Sequence, residues 1–509
     1  MKNKNSGKKP DKTYQLISLT AYTLFLYGVG VLLTLYIQDA YFDTLEAKAS
    51  CFRFLMYVLL PLLVLLIVWK IKDKKLRIHN NFLLTGLLFL ALISLLSTAL
   101  SDYKEYAFSG EAGWHIGAFC ICSLVLAVLV FAGIEIKEKV IYLPLMGVVL
   151  FEFILIILGG TKLNLFSFRT WIQGEDYYSF YGTLGNSNWI VGYLSLTVPA
   201  FLCLYLQEDN RTKEGFYCVC CLTGLIASVI NGADGIYPAY LFCFFLLIPY
   251  LFRDLSRIRK TAVLMIGFSA VLLIIRMCGF FDARIRRMNV LGPYLFRAAP
   301  ILLVTGLLLI LVARKQNDEK YIGIRNKVII AIETVSILSA IAATIYLLVH
   351  SGKELSNGRI ELWQYSFARY FHDYSRKEKL LGVGPELLIT VYQEIDAGEK
   401  VFASSHSEPV QMLMSMGVLG LVSWIICWAS VFLSFVKTKA YEKRNALAVY
   451  SGLFAYFAQS FVNSATTLNV CVLTVFVILL TQLTDSEEFT LSVPERKEKK
   501  RQNIDGSMI

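Results

Sequence analysis

Apolar stretches about as long as a bilayer is thick recur along the whole chain, and no other feature limits its fold as strongly. A helix needs roughly 20 such residues to cross about 30 Å of hydrocarbon. About fourteen stretches meet that requirement, at approximately 15–36, 54–71, 81–100, 118–134, 140–159, 189–206, 216–231, 236–252, 261–276, 292–313, 328–350, 410–436, 446–464 and 467–483. The pair flanking "NGADG" (231–235) is the least distinct. Lipid offers backbone N–H and C=O groups no partner, so a spanning segment must be a helix or a strand of a closed barrel. These segments lack the alternation of barrel strands. The expected fold is therefore an all-α polytopic membrane protein with about 14 (roughly 12 to 14) transmembrane helices. Composition agrees: 56% of the 509 residues are hydrophobic and 17% charged. The first stretch is too long for a removable signal peptide and has no small-residue cleavage site after it, so it is read as an anchor.

Orientation follows from Lys and Arg, which short cytoplasmic loops retain. With the N-terminus inside, "KNKNSGKKPDK", "KIKDKKLR", "RDLSRIRK", "RKQNDEKYIGIRNK", "KTKAYEKR" and "RKEKKR" all fall on the cytoplasmic side. The expected organisation is a cytoplasmic tail (1–14), a bundle of about eleven helices (15–350), one large extracytoplasmic loop (351–409), the C-terminal helices (410–483) and a basic cytoplasmic tail (484–509). The net charge of +11 is largely accounted for by this topology and needs no nucleic-acid partner. Eleven cysteines sit mostly in the apolar spans, where a thiol acts as a small hydrophobe. "CVCC" (218–221) has no second ligand pair, so no metal site is expected.

Two features stand out on the external side. "FFDARIRRMNVLGPYLFR" places Arg284, Arg286 and Arg287 outside, against the general trend. Guanidinium groups there either rest on anionic headgroups or fork onto phosphate oxygens. In the long loop, "GRIELWQYSFARYFHDYS" spaces Ile360, Trp363, Phe367, Tyr370, Phe371 and Tyr374 at helical intervals, a stripe suited to a helix at the membrane surface. "LLGVGPELL" then turns at Gly382, Gly384 and Pro385, and "SSHSEP" leads into a membrane helix. His406 in that stretch is either the histidine of a helix cap beside Ser405, Ser407 and Pro409 or a proton acceptor. His115, in "SGEAGWHIG", is the next external histidine, while His79, His350 and His372 carry no such signal.

Taken in order, "GTLGNSNWIVGYLSL" (182–196), "GRIELW" (358–363), "LLGVGPELL" (380–388) and "HSEPVQMLMSMGVLGL" (406–421), with one large external loop, resemble the O-antigen ligase and O-antigen polymerase family. The resemblance covers roughly residues 85–480. It implies a glycosyltransferase acting without nucleotide sugar, cofactor or metal. The donor is an undecaprenyl-diphosphate-linked glycan, the acceptor another glycan, and the reaction lies at the outer face of the bacterial cytoplasmic membrane. Polysaccharide-export and chain-length proteins are the implied partners. On this reading His406 takes the proton of the acceptor hydroxyl and Arg359 neutralises the leaving diphosphate, as catalytic residues. Arg284, Arg286, Arg287, Asn186, Asn188 and Glu408 bind substrate, and Glu408 is placed to orient the imidazole. The alternatives are ligase-type transfer to another acceptor, and a polysaccharide-lipid flippase or transporter, whose charges would line a central cavity.

Overall fold

The structure, a computed structural model, describes residues 12–38, 44–72, 81–111, 114–132, 135–136, 139–161, 180–251, 254–278, 292–314, 358–392, 403–484 and 490–491. Along these the elements run α1 (Lys12–Tyr27), continued by a π-helical turn (Gly28–Leu33), α2 (Thr44–Lys72), α3 (Asn81–Leu100), α4 (Lys104–Ser109), α5 (Ala118–Phe131), α6 (Leu143–Gly159), α7 (Ser187–Gln207), α8 (Arg211–Asn231), α9 (Ile236–Leu251), α10 (Leu255–Cys278), α11 (Gly292–Arg314), α12 (Arg359–His372), α13 (Arg376–Leu381), α14 (Leu388–Tyr392), α15 (Glu408–Lys437), α16 (Arg444–Ser460) and α17 (Thr467–Thr484). Two two-residue strand pairings complete them, Phe180–Tyr181 against Gly185–Asn186 and Glu135–Ile136 against Thr490–Leu491.

Every apolar stretch that falls on described residues is helical, and the stretch 328–350 lies outside them. Seven of the helices are long and apolar enough by themselves to cross a membrane, and five more are apolar and shorter. The described chain is thus an all-α protein with the helices of a multi-pass membrane protein. Helix α7 is its centre: 78% of its apolar window is buried, against 50% or less for the other six long helices. It packs on α8, α9, α16 and α17, and α15 lies along α3.

Helix α2 starts at Thr44, well before the apolar stretch that predicts it. Glu46, Lys48 and Arg53 hide this first part from a hydropathy reading, yet Lys48 is buried, its ammonium donating to the carbonyls of Leu33, Thr34 and Tyr36 at 2.6–2.8 Å. Those carbonyls end the π-helical turn and have no helical partners of their own. The same device recurs at the ends of α5, where Lys70 reaches Leu129 and Ala132, and α7, where Lys260 reaches Tyr205 and Glu208. A cation at a helix C-terminus satisfies both the free carbonyls and the helix dipole. These buried lysines are therefore packing elements.

The long loop is bound to the bundle backbone to backbone. Helix α15 is broken at Gly417 (φ 67°, ψ −168°). The Ser415 carbonyl at this break accepts from Gly384 N at 2.9 Å and from Ser97 Oγ at 3.2 Å. A Cβ on Gly382 would lie 2.1 Å from the Ser415 oxygen, and one on Gly417 would lie 2.3 Å from the Leu380 carbonyl. The glycines of "LLGVGPE" and "SMGVLG" thus let two chain segments touch where any side chain would separate them. Helix α12 forms as its spacing predicts, but the stripe divides. Leu362, Ser366 and Tyr370 are buried and Trp363 is half-buried, while Phe367 (41%) and Phe371 (62%) are exposed.

Candidate functional site

Several loops meet at one end of the bundle, because α5, α7, α15 and α17 begin there and α8 and α16 end there. The start of α7 fixes the frame. Asn186 caps the helix, its Oδ1 accepting from Asn188 N at 2.9 Å. The next carbonyls, of Ser187, Asn188 and Trp189, accept from the amides of Asn231, Asn463 and Asn469 at 2.9, 2.7 and 2.8 Å. Three other segments are thereby fastened to one helical turn, which Asn186 caps through its side chain and Asn188 joins through its backbone carbonyl.

The stretch "SSHSEP" is held equally firmly. Ser404 bonds Ser464, the Trp363 indole N–H donates to the Ser405 carbonyl at 2.8 Å, and Ser405 N and Oγ both donate to Gln411 Oε1. His406 N donates to Ser404 Oγ at 3.2 Å, and its backbone adopts φ 50°. The left-handed region is uncommon outside glycine, although histidine is among the residues that enter it. The half-buried imidazole lies edge-to-face on Trp114, centroids 6.2 Å apart and planes at 86°. Its Nδ1 is buried without a hydrogen-bond partner among the described residues. Burial, and secondly the nearby Arg359 guanidinium, push its pKa down to about 4. The ring is therefore neutral across the physiological range.

Arg359 opens α12 behind Gly358, whose φ of 82° turns the chain into the helix. Its guanidinium is close enough to bear electrostatically on His406 and on Asp234, the aspartate of "NGADG". Burial lowers its own pKa and Asp234 opposes that shift. The two residues expected to share one site, Arg359 and His406, are thus brought together, with Asp234 as a third charge that motif reading missed. Glu408 does not hold the imidazole. It opens α15, and its buried carboxylate accepts from Tyr456 OH at 2.7 Å and Trp424 Nε1 at 3.4 Å. Arg284, Arg286 and Arg287 lie outside the described residues. His372 is exposed. His115 is buried at φ 62°, with Nε2 3.0 Å from Glu46 Oε2.

Beneath this cluster is a cavity of about 180 Å³. Its walls are apolar, from Leu87 and Val125 to Met416, Trp428, Val431 and Leu473. Its polar end is formed by Trp114, Glu386, Ser404, Glu408 and Gln411. An apolar cavity of about 150 Å³ accepts a guest the size of benzene, and this one is of comparable volume. Among the described residues no group of His, Cys, Asp and Glu is arranged to hold a metal ion. Trp114 and Glu386, which line the cavity beside His406, were also missed. The signals were available in the glycine-flanked "GEAGWHIG" and in the Glu after Gly-Pro. No protein-family description matches the chain, and no curated protein matches it significantly.

Proposed function

We propose that the protein is a membrane-embedded glycosyltransferase that transfers or polymerises oligosaccharide units carried on undecaprenyl diphosphate, of the kind made by the O-antigen ligase and polymerase family. The observation that carries this reading is the convergence of Arg359 with a neutral His406 at one end of a membrane helix bundle. Transfer from a diphosphate needs charge neutralisation on the leaving oxygens and removal of a proton from the attacking hydroxyl. A neutral imidazole accepts that proton, the more readily once the donor's diphosphate offsets the Arg359 charge that lowers its pKa, and a guanidinium binds phosphate oxygens through parallel N–H groups. The adjoining apolar cavity supports the reading further, since a polyprenyl carrier brings apolar chain directly behind its diphosphate.

In this reading the cluster faces outward from the bacterial cytoplasmic membrane, both termini are cytoplasmic, and the loop 351–409 covers the site. The acceptor is a second glycan, and surface-polysaccharide polymerase is favoured over ligase. Purified lipid-linked repeat units in a membrane mimic test it. His406→Ala should abolish polymer formation while donor binding persists. Normal turnover by that variant refutes the assignment.

A further inference from the structure

Three of the four non-glycine residues with positive φ among the described residues, His115, Glu386 and His406, lie at this one end of the bundle. Such residues are strained and persist only where their surroundings hold them. The bonds of Glu386 show what does the holding. Its buried carboxylate accepts from Trp114 N at 2.8 Å through Oε2 and from Gln411 Nε2 at 3.5 Å through Oε1. Gln411 in turn accepts from Ser405 N and Oγ at 3.1 and 3.3 Å, on the residue preceding His406. Trp114 carries the ring against which His406 packs, and its carbonyl accepts from Thr467 Oγ1 at 3.2 Å. One carboxylate therefore ties both sides of the Trp114–His406 contact to each other.

We propose that Glu386 is a positioning residue, a clamp between the 110–117 and 403–407 loops that fixes the imidazole of His406 on the Trp114 indole. The two bonds use both carboxylate oxygens, so the clamp needs two acceptors at a fixed separation. Gln411 is the second half of the device, because it passes the constraint from α15 to the backbone of Ser405. For function the proposal rests on the transferase reading, but the clamp itself has a readout that does not.

That readout is the rate at which diethyl pyrocarbonate modifies His406 in the full-length detergent-solubilised protein, followed by peptide mass spectrometry with the exposed His372 as internal reference. Loss of one hydrogen bond is worth about a factor of five in such an equilibrium. Glu386→Ala and Gln411→Ala should each raise His406 modification by about that factor relative to His372. Glu386→Gln keeps an acceptor for the Trp114 N–H but turns an NH2 donor toward the Gln411 amide donor, so it should rise like Gln411→Ala. In the transfer assay the two alanine variants should lower kcat and leave the KM for the lipid-linked donor unchanged. Unchanged His406 reactivity in either alanine variant overturns the clamp, as does a Glu386→Gln protein no more reactive than the parent. If no variant or parent shows transfer while the reactivity pattern holds, the transferase reading fails and the clamp stands.

Discussion

The Trp114 indole and the His406 imidazole meet edge to face, at 6.2 Å and 86°. The indole is part of the packing that buries the histidine beside Arg359, and burial is the larger cause of that ring's lowered pKa. Removing the indole should admit water to the ring and raise its pKa from about 4 toward the 6.5 of a free imidazole. Trp114→Ala is expected to move it by about one unit or more, measured by NMR titration of carbon-labelled histidine. A value that stays near the parent's would assign the depression to other neighbours.

Arg359 acts on the same ring in the same direction. Its positive charge disfavours a second positive charge on His406, so Arg359→Ala should also raise the histidine pKa. The same variant should weaken binding of the lipid-linked donor by about ten-fold or more, the worth of a charge-assisted phosphate contact. Arg359→Lys keeps the charge and loses the paired N–H geometry, so it should restore the histidine pKa better than the donor affinity. Equal recovery of both would argue against a forked contact.

The pH dependence of stability contains two opposed contributions. For His406 the folded value is about 4 and the free value 6.5. Between them the unfolded chain holds the proton and the folded one does not, so this contribution is lost as pH falls from 6.5 to 4. Glu386 is pushed up by burial to about 7 from a free value of 4.5. The folded chain holds this proton, so its contribution is lost as pH rises from 4.5 to 7. Each effect is at most about 3 kcal/mol. Thermal unfolding scans should show stability of Glu386→Gln rising with pH over this window relative to the parent, and that of His406→Gln falling.

The close approach at Gly417 yields a test of the scaffold. Gly417→Ala places a Cβ 2.3 Å from the Leu380 backbone at a φ of 67°, and Gly382→Ala meets Ser415 in the same way. Each should destabilise the protein by about 2 kcal/mol or more through strain and displacement of the loop. The expected readout is a lower unfolding temperature with faster proteolysis between residues 376 and 392. A protein as stable as the parent would show that the two segments separate freely.

Filling the cavity separates an apolar binding site from packing slack. Val431→Phe adds its ring to a wall of the 180 Å³ space. If the cavity takes part of a lipid chain, the variant should keep its unfolding temperature and lose affinity for a long-chain donor more than for a short-chain analogue. Equal affinity for both would leave the cavity without a role in donor binding.

The sequence by itself determined the fold class, because lipid permits few backbone solutions and the apolar stretches are long enough to be read one at a time. It also marked Arg359 and His406, since a residue type suited to phosphate and another suited to proton transfer stood in recognisable stretches. What it could not carry was the partner of each buried polar group. Lys48 reads as a charge interrupting a membrane helix until three carbonyls from another segment surround it. Glu408 reads as the neighbour of His406 until entry into α15 turns its carboxylate to Tyr456 and Trp424. Trp114 and Glu386, far apart in the chain, share a bond that exists only in the folded protein. Hydropathy is a property of a stretch and survives in one dimension, whereas a hydrogen bond between distant segments exists only once the tertiary structure has brought donor and acceptor within about 3 Å.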